Sequence, residues 1–220
     1  MRTRFQQGLD DLKDKLLRMG GLAEQAVDRS IRAYQQRDRT ACELVFQAEQ
    51  AINLAERDID ELALDLLAMQ QPMAVDLRFV LSVIKINADL ERVGDQAVNI
   101  AQRVRDFLEL PPPELPVDLP RMAQIVAEMI HQSLEAFVRG DDRLAREVLI
   151  MDNTVDSLKS ETEKVLVEQM QQSPQLIRQA LHLLLISRNL ERVADHATNI
   201  AEDVIFWVRG ADVRHHGGIL

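Results

Sequence analysis

Apolar residues recur along this chain at three- and four-residue spacings with few interruptions. Leu9, Leu12, Leu16, Met19, Leu22, Ala23, Ala26, Ala33 and Tyr34 mark one face of a first segment, Phe5–Arg37. That period, set by 3.6 residues per turn, predicts an amphipathic helix, with Gly20-Gly21 as a soft spot inside it. Asp38-Arg39-Thr40 reads as a turn whose Asp38 or Thr40 caps the next helix. Leu44, Ala48, Ala51, Ala55, Ile59, Leu62, Leu66 and Met69 give that helix its stripe, and Pro72 ends it. A third helix is expected over Val75–Leu108.

Glu109–Pro120 (ELPPPELPVDLP) contains five prolines and is expected to be an extended, semi-rigid linker. The plan then restarts. Helices are predicted over Arg121–Arg139, Arg143–Gln171 and Gln175–Val208, broken at Gly140-Asp141-Asp142 and Ser173-Pro174. Tyr34 and Phe137, Asp38 and Asp142, and Pro72 and Pro174 fall at corresponding places. The fold class is therefore all-α: two tandem three-helix antiparallel bundles related by internal duplication. Their bounds are 1–108 and 121–210, with the linker 109–120 between them and a tail at 211–220.

The clearest trace of the duplication lies in the third and sixth helices. Asp89-Leu90-Glu91-Arg92-Val93-Gly94-Asp95-Gln96-Ala97-Val98-Asn99-Ile100-Ala101 recurs one hundred residues later as Asn189-Leu190-Glu191-Arg192-Val193-Ala194-Asp195-His196-Ala197-Thr198-Asn199-Ile200-Ala201. Nine of the thirteen positions are identical. On a helical wheel Leu90, Val93, Ala97, Ile100, Ala101 and Val104 form the core stripe, while Glu91, Asp95 and Asn99 stack nearly opposite at i, i+4 and i+8. Leu77, Val80, Leu81 and Ile84 precede the acids, as Ile177, Leu181 and Leu184 do in the second unit. This apolar patch exceeds what one three-helix core needs. It is expected to be buried by the first helix of its unit or by a second subunit, which makes a homodimer an expectation.

Composition narrows the possibilities. A net charge of −10 and the lack of a Lys/Arg run argue against nucleic-acid binding. Acidity suits solubility and equally suits a binder of cations. A single Cys42 provides no disulfide framework, and Met1–Leu17 has no signal-peptide pattern, so a cytoplasmic protein is expected. Apolar runs fall far short of the ~20 residues that span a bilayer. No phosphate-binding glycine loop, Cys/His metal spacing or nucleophile triad is present in the sequence.

The acids are the chemistry that remains. Two carboxylates one helical turn apart repel each other, and oxygen donors at that spacing are what a hard or borderline cation takes from a helix. A lone ExxxD also fits a solvated face. Hairpin geometry adds a coincidence: Glu49 is as far before Pro72 as Asp95 is after it, and Asn53 as far as Glu91. Around Ser173-Pro174, Asp152 is level with Asp195 and Asp156 with Glu191. Each unit thus brings an i,i+4 pair on its middle helix level with the ExxxD of its last helix, about 33 Å from the turn at ~1.5 Å per residue. Asn53, where the second unit has Asp156, is expected to weaken the first site. Glu128-Met129-Ile130-His131 occurs once and reads as an ordinary surface pair. His182 is expected to be packed or paired, His196 could extend a metal site, and His215-His216 reads as a mobile end.

These residues resemble the PhoU family of accessory regulators of bacterial phosphate-specific transport. The resemblance rests on Met19-Gly20-Gly21-Leu22, on Gln71-Pro72 followed by Asp76-Leu77-Arg78, on the two Leu-Glu-Arg-Val-x-Asp motifs, and on Val208-Arg209-Gly210-Ala211-Asp212-Val213-Arg214-His215. It implies two three-helix bundles bearing surface multinuclear sites for iron, with zinc or nickel as alternatives, at Glu49, Asn53, Glu91 and Asp95 and at Asp152, Asp156, Glu191 and Asp195. It further implies a non-enzymatic role: coupling the phosphate ABC transporter, through its ATPase subunit, to a sensor histidine kinase, and silencing the phosphate-starvation regulon. The rivals are a carboxylate-bridged di-metal oxidoreductase of ferritin-like type, with ligands inside the bundle, and a plain helical scaffold.

Overall fold

A computed structural model describes residues 4–113, 115–211 and 213. Six helices account for most of them: α1 (Arg4–Gln36), α2 (Arg39–Gln70), α3 (Ala74–Phe107), α4 (Leu119–Arg139), α5 (Asp142–Gln172) and α6 (Ile177–Arg209). A single 3-10 turn at Pro174–Leu176 leads into α6. No strand occurs among the described residues. The His215-His216 pair lies outside them.

Local chemistry sets the helix ends. The Asp38 carboxylate accepts from the Thr40 amide at 2.8 Å and starts α2. Asp141 does the same for α5, accepting from the amides of Arg143 at 3.0 Å and Leu144 at 3.2 Å. Each satisfies amides that a helix N-terminus otherwise leaves unpaired. The residue equivalent to Asp38 is therefore Asp141. Asp142, one position on, receives the Arg209 guanidinium at 2.8 Å instead. Gly140 closes α4 at φ +61°, the left-handed conformation that a helix C-cap favours. The linker is shorter than its prolines implied. Leu119 and Pro120 belong to α4 because proline is tolerated in a first turn and Asp118 caps that turn through the Arg121 amide at 3.0 Å.

Within each unit the three helices pack mutually, α1 with α2 and α3, and α4 with α5 and α6. Between units α3 packs along α6, the most extensive helix pairing in the molecule, and α1 packs on α4. The four helices α1, α3, α6 and α4 consequently close into a ring, with α2 and α5 flanking it. Both inter-unit pairings are antiparallel. Arg78 and Ser82 meet the Trp207 and Asp203 carbonyls, and Asp89 meets His196, so positions ascending α3 descend α6. The units are thus related by an approximate two-fold axis across the α3–α6 contact.

That contact explains why α3 buries more than one stripe. Leu90, Val93, Ala97, Ile100, Ala101 and Val104 are fully buried, as the wheel requires. Ser82, Asn87, Asp89 and Gln96, polar residues lying outside the apolar stripe, are buried as well. The apolar patch fares differently from expectation. Val80 is buried, whereas Leu77 and Leu81 remain 37% and 38% exposed and Ile177 and Leu181 44% and 48%. The first helix of the unit does not cover them, because α3 turns Phe79, Val80, Val83 and Ile86 to its neighbours and leaves the adjoining face outside.

Aromatic side chains pin one end of the ring. Phe79 of α3, Phe137 of α4 and Trp207 of α6 stand with ring centroids 5.2–5.5 Å apart. Along the α1–α4 contact Gly20 allows close approach: a Cβ there would lie 2.5 Å from Leu134 Cδ1. Gly21 has open space around it. Gly20→Val is therefore expected to cost about 1–3 kcal/mol through overpacking. Gly21→Ala should stabilise by about 0.5–1 kcal/mol by removing a glycine from a helix interior. Urea unfolding followed by circular dichroism checks both; equal effects at the two positions would contradict this packing.

Candidate functional site

The acids named from sequence stand in two shallow ledges, one where α2 meets α3 and one where α5 meets α6. Glu91 and Glu191 are half-buried and Asp95 and Asp195 exposed, identically in the two units. Glu49, Asn53 and Asp152 are half-buried on the facing helices, and Asp156 is exposed.

Electrostatics report which of them meet. Burial pushes the Glu91 carboxyl above its ordinary range, and the charges of Asp95, Glu56 and Glu49 push it further, with Arg92 opposing. In the second ledge the Asp152 carboxyl is raised to about 6 by burial and then by Asp156, Asp195 and Glu191. Glu191 is raised by burial and by Asp195, with Lys159 opposing. Asp195 is raised by burial, with the neighbouring His196 opposing. Each ledge is therefore a patch of mutually repelling carboxylates held by the folding of a helical hairpin. Counting from the turns pairs Glu49 with Asp95 and Asn53 with Glu91; the structure brings the charge of Glu49 to Glu91, and gathers Asp152, Asp156, Glu191 and Asp195.

Glu56 was missed by that reading. It lies seven residues after Glu49 and so on the same helix face, and its carbonyl accepts from Asn87 Nδ2 at 3.0 Å, one turn before Glu91. The signal was present in the spacing but fell outside the ExxxD template. With Glu56 included, the first ledge carries four carboxylates in spite of Asn53.

The donor chemistry fits a hard or borderline cation, which would offset both the burial and the mutual repulsion that raise these pKa values. In the present side-chain positions no three Asp, Glu, His or Cys groups among the described residues are gathered into a ready-made cage. Beside Glu191 and Asp195 lies a groove of about 370 Å³, also lined by Lys159, Arg188 and Arg192.

The histidines serve other ends. His196 does not turn toward the ledge; its Nδ1 lies 2.9 Å from Asp89 Oδ1 across the α3–α6 seam, and Asn199 Nδ2 donates to the same oxygen at 3.1 Å. Its counterpart Gln96 is buried as well and accepts from Asn99 Nδ2 of its own helix at 3.5 Å. His182 is packed: burial lowers its pKa, and its buried Nδ1 has no partner among the described residues. His131 lies on the surface 3.8 Å from Glu24. The acids singled out are half-buried or exposed, so they do not form a ferritin-like site inside the bundle.

A duplicated all-α protein with one acid ledge per unit is the class that this fold and site define. Comparison with known proteins agrees on the duplicated all-α fold. A family model described as the PhoU domain matches residues 16–104 and 119–204. The phosphate-specific transport system accessory protein PhoU homolog of Pseudomonas aeruginosa is 39% identical over 97% of this chain and 88% of its own. That of Aquifex aeolicus is 36% identical over 94% of each. The crystal structure of PhoU from Pseudomonas aeruginosa superimposes with a TM-score of 0.91 at 38% identity, covering 94% of this chain and all of that one. The phosphate transport system regulatory protein PhoU from Streptococcus pneumoniae gives 0.88 at 28% identity, over 96% and 99%. The chain belongs to the PhoU family.

Two measurements probe the site. Because the folded-state pKa of Asp152 lies above the ordinary 3.8, this group's contribution to stability is full below that value and is lost as pH rises through about 6. In metal-free protein Asp152→Asn should therefore stabilise at pH 7.5 by about 1 kcal/mol, discounted for partial exposure, with the gap closing towards pH 4. Asp89→Ala, which removes the buried acceptor of His196 and Asn199, should cost about 2–3 kcal/mol. Urea unfolding across pH reads both.

Proposed function

We propose that this protein is a non-enzymatic regulator of phosphate uptake and a negative regulator of the phosphate-starvation response. In this reading it works in the cytoplasm and couples the ATPase subunit of a phosphate ABC transporter to a sensor histidine kinase. Membership of the PhoU family carries the reading, together with relatives named as accessory proteins of phosphate-specific transport. No described helix is long and apolar enough to cross a membrane, so association with those membrane partners would run through the protein's surface.

The ledges supply the second part of the proposal. Glu49, Glu56, Glu91 and Asp95, with Asn53, would hold cations on one unit, and Asp152, Asp156, Glu191 and Asp195 on the other. Iron is the first expectation, in a multinuclear arrangement, with zinc or nickel as alternatives. Bound there, such ions would neutralise acid clusters and present positive charge to a partner surface. The exposed Leu77, Leu81, Ile177 and Leu181 offer apolar area for a homodimer or for the transporter and kinase.

Deleting the gene should raise alkaline phosphatase several-fold in phosphate-rich medium. Restoring the wild-type chain should bring repression back, and a Glu191→Ala/Asp195→Ala variant should do so less well. Unchanged repression in the deletion strain would overturn the regulatory role. Capture of the transporter ATPase and the kinase by the purified chain, with and without iron, tests the partners, and light scattering tests the dimer.

A further inference from the structure

The two ledges differ at one equivalent position in a way that sets their demand for metal. Glu56 stands seven residues after Glu49; Lys159 stands seven residues after Asp152. Helical geometry puts each on the same face as its preceding pair, one turn beyond Asn53 or Asp156. Lys159 lines the groove with Glu191 and Asp195, and its Nζ lies 3.8 Å from Glu163 Oε2. Arg188, at the position of Ala88 in the first unit, lines that groove too. At this position the first ledge has its fourth carboxylate, whereas the second, with four already and Glu163 beside the groove, has an ammonium.

We propose that Lys159 is a tethered cation of the second ledge, competing there with a divalent ion, so that the first ledge, completed by Glu56, loads first. The proposal rests on the metal-binding reading above and adds the order of loading. A flexible ammonium among half-exposed carboxylates satisfies part of their charge without coordination, and an arriving ion must displace it or tolerate it. In water a single like charge about 6 Å from a divalent ion weakens its binding by roughly tenfold. Lys159 thus acts as a positioning and competing group rather than a ligand.

Co²⁺ titration of the full chain, stripped of metal with a chelator, tests this by calorimetry. Anomalous scattering from crystals at limiting Co²⁺ assigns the ledges. The wild type should fill the first ledge at lower Co²⁺ than the second. Lys159→Gln should tighten the second ledge about tenfold and leave the first unchanged, whereas Glu56→Gln should weaken the first alone. A second ledge that fills first, or two ledges that both bind yet ignore Lys159→Gln, would overturn the competition while leaving metal binding intact. Absence of Co²⁺ from both ledges in every variant would overturn the metal reading and this proposal with it. A melting temperature of Lys159→Gln close to that of the wild type without metal would show that the binding change does not come from unfolding.

Discussion

Everything in this molecule is arranged around the antiparallel contact of α3 with α6. Each of these helices is the last of its unit and must meet two partners at home and one across the axis, so most of its circumference is enclosed. An apolar face alone would leave the sliding register of two such helices weakly fixed. The polar groups in the seam fix it. Asp89 accepts from Asn199 and lies against His196, while Ser82 reaches the Asp203 carbonyl and Lys85 its carboxylate at 3.3 Å. A shift of one turn would leave a buried carboxylate without its donors, at a cost of several kcal/mol.

The same constraint explains where the acid ledges lie. With one side of α3 and α6 given to the seam and another to the first helix of the unit, the remaining side faces the groove beside α2 or α5. Glu91 and Glu191 project there half-buried, so that burial first and neighbouring charge second raise their pKa values while solvent still reaches them. The duplication gives two such places, one on either side of the axis. The His196–Asp89 pair stands behind them, one residue from Asp195 and two from Glu91.

Much of this was legible in the sequence, for identifiable reasons. Helix number and ends followed from the 3.6-residue period and from Asp38, Pro72, Gly140 and Pro174, each a local signal. That Glu49 would come close to the acids of α3 followed from counting along a hairpin, which needs no knowledge of tertiary packing. What remained hidden was the side-by-side docking of the units. Asp89 and Gln96 carry no signal, and His196 reads as an extension of a metal site, because periodicity records apolar stripes and is blind to a buried seam made of hydrogen bonds. The exposure of Leu77 and Leu181 was hidden for the same reason, since a wheel cannot say which of two apolar faces a neighbour will take. Glu56 lay in plain view and was passed over by a template of two acids rather than three.

The aromatic trio at the end of the ring has a practical corollary. Trp207 is the sole tryptophan of the chain, and it sits where α3, α4 and α6 converge, with Gly140 of the α4–α5 turn beside its ring. Its fluorescence is therefore a built-in gauge of whether the two halves remain docked at that end. Emission that shifts to the red before ellipticity is lost would reveal a molecule whose halves part as intact bundles.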